Sequence, residues 1–196
     1  MEKIMEMKND VEAAPKKRTF IQQEKKGLQI QDILLISILL ASGAVLKFFV
    51  PNLGGMKPNF IIAMYCLTIL LIKPRLFEAA IIGILAGAIS QIFPAQPYIN
   101  FISELIGALV MCLLIKIPME KIKIPVKPII STFLSTLASG FTFIGVMYLL
   151  YYVRPNMLNV APAALAVFMG VVFGTATINS IIVQVLYIPL KLALKK

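Results

Sequence analysis

The chain has 196 residues, 59% hydrophobic and 14% charged, with nineteen basic against nine acidic residues and a formal charge of +10. Soluble domains carry roughly 25% charged residues, so this composition excludes an ordinary water-soluble globule and describes an integral membrane protein. The sequence contains no histidine, which removes histidine metal sites, Ser-His triads and imidazole proton relays. No enzyme activity, metal or cofactor is expected.

Residues 1–30 are polar, with mixed charge spread where a signal peptide would have its apolar core. They read as a cytoplasmic tail, leaving 31–196 as a transmembrane domain. Six apolar segments follow, at 33–50, 60–72, 76–93, 98–117, 129–153 and 163–188. The expected fold is all-α, a polytopic bundle of six transmembrane helices. Five segments are long enough for a bilayer core, which takes about 20 residues. The second is not: at a ~1.5 Å rise per residue it makes about 20 Å of helix against a ~30 Å core. Pro58 and Pro74 bound it.

The segment before it carries Ser37, Ala41 and Ala44 at helical spacing. Small residues four apart also occur as Gly83 and Gly87 in the third segment and Gly170 and Gly174 in the sixth. Such pairs let helices approach closely, and most serve packing. Cys66 and Cys112 lie inside apolar segments without metal or redox spacing, and read as small core or lipid-facing residues.

Between segments one and two runs "NLGGMKPN", residues 52–59. A helix too short to span leaves non-helical backbone near membrane depth, tolerated only where it is buried or lines a polar cavity. Short helices in such positions point to substrate sites. Gly54 and Gly55 permit a tight turn and close backbone approach, and Pro58 suits the start of the next helix. Lys57 beside that helix's positive end is a candidate anion contact, or alternatively a lysine reaching the headgroups. Asn59 is a candidate first-turn hydrogen-bonding residue.

Glu104 is the one carboxylate well inside a predicted span, roughly 10 Å deep. Asn100, Ser103, Glu104, Gly107 and Met111 share one helix face, expected to look into the bundle. Glu104 reads as a ligand or ion site, or as a structural partner for a lysine such as Lys47. Together, Lys57 and Glu104 would suit the two charges of a zwitterion. Gln96, Tyr98 and Asn100, in and after the Pro-bounded connection at 92–100, offer hydrogen bonds and an aromatic wall, or form an ordinary loop. Asn179, mid-span in the sixth segment, needs partners, whether protein or ligand, and is a further candidate for substrate binding.

Orientation follows from the basic residues. With the N-terminus inside, the inner side holds seven in the tail, Lys73 and Arg75, four lysines in 116–127, and Lys191, Lys195 and Lys196. Only Lys47, Lys57 and Arg154 fall in the outer half. Sixteen against three is a strong positive-inside bias, placing both termini in the cytoplasm. The charge therefore reports topology, and nucleic acid is not an expected partner.

Six helices, a glycine-rich outer loop after the first and a small-residue face on the first resemble the substrate-binding S component of an energy-coupling factor (ECF) transporter. "GGMKPN" followed by an apolar helix, with "FPA" and the downstream Gln96, Pro97 and Asn100, resembles the tryptophan transporter (TrpP) family within that group. The likeness covers about 33–189, with 54–59 its most specific part. It departs at Asn59, where the family motif has aspartate, in the spacing between Ala95 and Asn100, and at Ser37, where S components show alanine. The first two departures bear on substrate identity. The resemblance implies a multi-pass protein of a prokaryotic cell membrane that captures tryptophan from outside. It implies that Ser37, Ala41 and Ala44 dock a transmembrane coupling protein, itself joined to two ATPases. The chain has no GxxxxGK[ST] phosphate loop of its own. Another small solute, or a solitary carrier using Glu104 as a proton site, is the alternative.

Overall fold

The computed structural model describes residues 27–50, 59–93, 98–118, 126–154, 156 and 165–194. The tail to residue 26, Gly54, Gly55, Lys57 and Gln96 lie outside the described residues. The described residues form six helices and no strand: α1 Ile30–Phe49, α2 Phe60–Ile72, α3 Leu76–Ser90, α4 Ile99–Leu114, α5 Lys127–Val153 and α6 Leu165–Ala193.

Local chemistry accounts for the ends. The Asp32 carboxylate accepts from the Gln29 backbone N–H at 3.2 Å as α1 starts, and Glu78 accepts from Arg75 N–H at 2.8 Å as α3 starts. Lys73 closes α2 in the left-handed region, φ 51, its N–H bonded to Ile69 O, and Pro74 prevents continuation. Pro128 occupies the first turn of α5, where its missing N–H is not needed.

Three helices, α1, α5 and α6, are long and apolar enough to cross a membrane; α3 and α4 join α2 among the shorter ones, at 15 and 16 residues. This corrects the expectation of five full-length segments. The third stops at Ser90 because Gln91–Phe93 leave the helix in tight turns, and Pro94 next in sequence disfavours helical backbone at Phe93. The fourth begins only after Tyr98, which itself has φ 63.

Helix α2 is the pillar of the bundle. All thirteen of its residues are buried, as befits a helix apolar on every side, and it touches each of the other five helices. The rest pack around it in the order α1, α3, α4, α5, α6, with no contact between α6 and α1 among the described residues. Helices α3 and α4 meet closely because Gly83 and Gly87 carry no side chain. A Cβ at Gly83 would lie 2.9 Å from Glu104 O, and one at Gly87 2.8 Å from the Phe101 Cα. Gly170 and Gly174 face open space among the described residues, where a Cβ would meet nothing within 4 Å, so their spacing serves no packing among those residues.

Candidate functional site

A buried polar layer separates two apolar clusters. On one side lie Ile99, Ile144, Met147, Phe168 and Val172; on the other is the main core around α2, reaching Ala108, Met111 and Val183. Between them α4 contributes Asn100, Ser103 and Glu104, α6 contributes Thr175 and Asn179, and α5 contributes a stripe of Ser131, Thr132, Ser135, Thr136 and Ser139, all buried. Each set recurs at three- or four-residue spacing, so helical geometry alone turns it to one side.

Glu104 is the hub. Asn59 donates its side-chain amide to Glu104 Oε1, and the Ser139 hydroxyl donates to Oε2 at 3.2 Å. Asn179 donates its amide to the Asn59 backbone carbonyl at 3.2 Å, tying α6 to the start of α2. Below the carboxylate, the Ser135 hydroxyl donates to Gly107 O at 2.9 Å, and the Cys66 thiol donates to Ser135 Oγ at 3.3 Å. Gly107 leaves room for the Tyr65 hydroxyl: a Cβ there would run into it, and would lie 2.9 Å from Ser139 Cβ.

Seven buried polar atoms in this layer have no hydrogen-bond partner among the described residues: Asn59 Oδ1, Asn179 Oδ1, Asn100 Nδ2 and the hydroxyls of Tyr65, Ser131, Thr132 and Thr136. A buried polar group left unpaired costs about 1–3 kcal/mol, so several in one layer are an unusual concentration. Two are carbonyl acceptors beside a carboxylate, a set that suits a ligand bearing several N–H donors. Asn100 Nδ2 offers a donor on the same helix face. No cluster of three His, Cys, Asp or Glu that could hold a metal occurs among the described residues.

The structure thus brings together Asn59, Asn100, Glu104 and Asn179. Tyr98 stands apart: it is 71% exposed, and its backbone N–H donates to Gln91 Oε1 at 3.3 Å. On α1, Ser37 and Ala41 are exposed and Ala44 is half-buried; the Ser37 hydroxyl donates to its own helix, at Ile33 O. Sequence reasoning missed Ser139, Ser135 and Tyr65. The signal for the serines was present, since Ser131, Ser135 and Ser139 recur every fourth residue, with Thr132 and Thr136 beside them, in a largely apolar segment.

A bundle of apolar helices with a carboxylate, three asparagines and a serine gathered in its interior has the build of a membrane protein that binds a small polar solute. The chain matches the tryptophan transporter TrpP family over residues 29–195 and belongs to it. It is 26% identical over 172 residues to a probable tryptophan transport protein of Clostridium acetobutylicum, covering 86% of this chain and 96% of that protein. It is 27% identical over 164 residues to a probable tryptophan transport protein of Bacillus subtilis, covering 82% and 90% respectively.

Proposed function

We propose that the chain is the tryptophan-binding S component of an ECF-type importer in a prokaryotic cell membrane, a six-span bundle with both termini in the cytoplasm. Glu104 receives the ammonium of the amino acid. Lys57 and the first turn of α2 receive the carboxylate, with Gly54 and Gly55 letting the loop close over it. Asn100 and Gln96 frame the indole, and Asn179 fixes Asn59 in place. Residues 1–30 form a cytoplasmic tail. The exposed face of α1 carrying Ser37 and Ala41, with Ala44 beside it, docks the transmembrane coupling protein, and ATP is hydrolysed by two partner ATPases.

The observation that carries this reading is the junction of Asn59, at the start of the short buried helix, with Glu104 and Asn179. It sets acceptors for an ammonium next to the positive end of a helix, a seat for a carboxylate. Family membership and the names of the two relatives support tryptophan as the solute.

The test is equilibrium binding of L-tryptophan to the detergent-purified protein, followed by the ligand's own fluorescence, since the chain has no tryptophan. Submicromolar saturable binding, weakened at least tenfold in Glu104→Gln and in Lys57→Ala, supports substrate and site together. Absence of saturable binding rejects tryptophan as the solute. Uptake that persists in cells lacking the ATPases rejects the ECF mechanism in favour of a solitary carrier.

A further inference from the structure

Lys47 is the one buried basic side chain among the described residues, 5% exposed, although it sits in the last turn of α1 where Phe48 is 70% and Phe49 78% exposed. A lysine at the end of an apolar surface helix ordinarily extends outward to water; this one turns inward.

The packing shows where it goes. Helix α1 crosses α2 at Gly43, where a Cβ would lie 3.0 Å from Ile61 Cα and 2.9 Å from Met64 Cγ. Four residues on, Lys47 lies on the same face, about 6 Å further along the axis, toward the end at which α2 begins. That is the level of Asn59, the residue bonded to Glu104. The Lys47 Nζ stands 5.0 Å from the centroid of the Phe93 ring, itself buried, a cation–π distance.

A buried cation and a buried carboxylate at one end of a helix set a condition on any ligand that enters between them. A zwitterion brings one charge of each sign and leaves the balance unchanged. An amine without a carboxylate, or an acid without an ammonium, leaves one buried charge uncompensated, which is strongly unfavourable.

Resting on the tryptophan-binding reading above, we propose that Lys47 is a specificity-determining residue of the site. It receives the ligand carboxylate while Glu104 receives the ammonium, so that the site takes aromatic amino acids as zwitterions and rejects the matching amine and acid. The negative face of the Phe93 ring holds the Lys47 ammonium in position for this.

The experiment measures tryptophan, tryptamine and indole-3-propionate binding by indole fluorescence in four proteins: wild type, Lys47→Arg, Lys47→Met and the charge-balanced Lys47→Met/Glu104→Gln. Wild type is expected to prefer tryptophan over tryptamine by about a hundredfold or more, and Lys47→Arg to keep most of that preference. Lys47→Met is expected to bring the ratio below about tenfold. If that variant fails to fold, the double variant, which leaves no lone charge, decides: tryptophan and tryptamine should bind it about equally weakly. A merely structural lysine would weaken both ligands together and leave the ratio unchanged; an unchanged ratio in Lys47→Met, or in the double variant, overturns the inference while wild-type tryptophan binding upholds the function. Absence of tryptophan binding by wild type overturns both.

Discussion

Asn59, at the N-cap of α2, gives its side-chain amide to Glu104 on α4 and makes no cap bond to its own helix. A residue at this position ordinarily turns its side-chain oxygen back onto the first-turn N–H groups. Here that oxygen has no partner among the described residues, and the first turn of α2 is not closed by its own cap.

The Asn59–Glu104 bond should therefore show as a coupling. Asn59→Ala and Glu104→Gln are each expected to lower stability, by about 1–3 kcal/mol for the alanine variant, which leaves Glu104 Oε1 without its donor. In a double-mutant cycle followed by thermal unfolding in detergent, the two should be non-additive by at least ~0.5 kcal/mol. Simple additivity would mean that the contact contributes nothing.

Ser139 holds the other oxygen of the same carboxylate. Ser139→Ala is expected to weaken tryptophan binding by about threefold to tenfold, in line with a charge-assisted hydrogen bond. Ser135→Ala, whose hydroxyl serves a backbone carbonyl instead, should affect unfolding temperature more than affinity. Measuring both properties on both variants separates the roles.

Two glycine-to-alanine changes should act in opposite directions. At Gly107 the new methyl runs into the Tyr65 hydroxyl and Ser139, and since the buried pillar cannot shift freely, a loss of about 1–3 kcal/mol is expected. At Gly170 nothing among the described residues lies within 4 Å, and the better helix former should leave stability unchanged or raise it by up to ~1 kcal/mol. Unfolding curves for the two variants side by side are the check.

Thr136 is buried, and its hydroxyl has no partner among the described residues. Thr136→Val replaces an unpaired polar atom by a methyl of similar size, and should be neutral or slightly stabilising with tryptophan affinity unchanged. A tenfold loss of affinity would place this hydroxyl in contact with ligand and extend the site toward the lysine-rich end of α5.

Topology has its own readout. A single cysteine added at position 196, in a chain whose Cys66 and Cys112 are buried, should react with an impermeant maleimide in inside-out vesicles and not in right-side-out ones. Labelling from the outside would reverse the orientation inferred from the basic residues.

Glu104 and Asn179 were legible in the sequence because each is a costly exception in an apolar run, and the cost is local to the residue. The brevity of α2 was legible for a related reason, since Pro58 and Pro74 cap its length from both sides. Ser139 was not. Serines and threonines in apolar helices commonly donate to their own backbone, as Ser180 does to Ala176 O and Thr142 to Ala138 O, so residue type does not say which hydroxyl reaches across. The shortening of α3 and α4 escaped because apolar residues such as Ile92 and Ile115 continue past the last helical turn, and hydropathy does not register where the backbone leaves the helix. Lys47 entered only as a structural partner for Glu104; its inward turn depends on the crossing at Gly43, which is set by a different helix.

The enclosure of α2 on every side has a consequence for biogenesis. The helix is complete at Ile72, more than ninety residues before α6 begins at Leu165. At about 20 Å it is too short to rest across a ~30 Å bilayer on its own. Between its synthesis and the arrival of α6, its Asn179-facing flank has no native cover. The nascent chain must therefore hold an unfinished centre until its last segment is inserted, and truncations that remove α6 should be found with membrane insertases and quality-control proteases rather than as a smaller stable bundle.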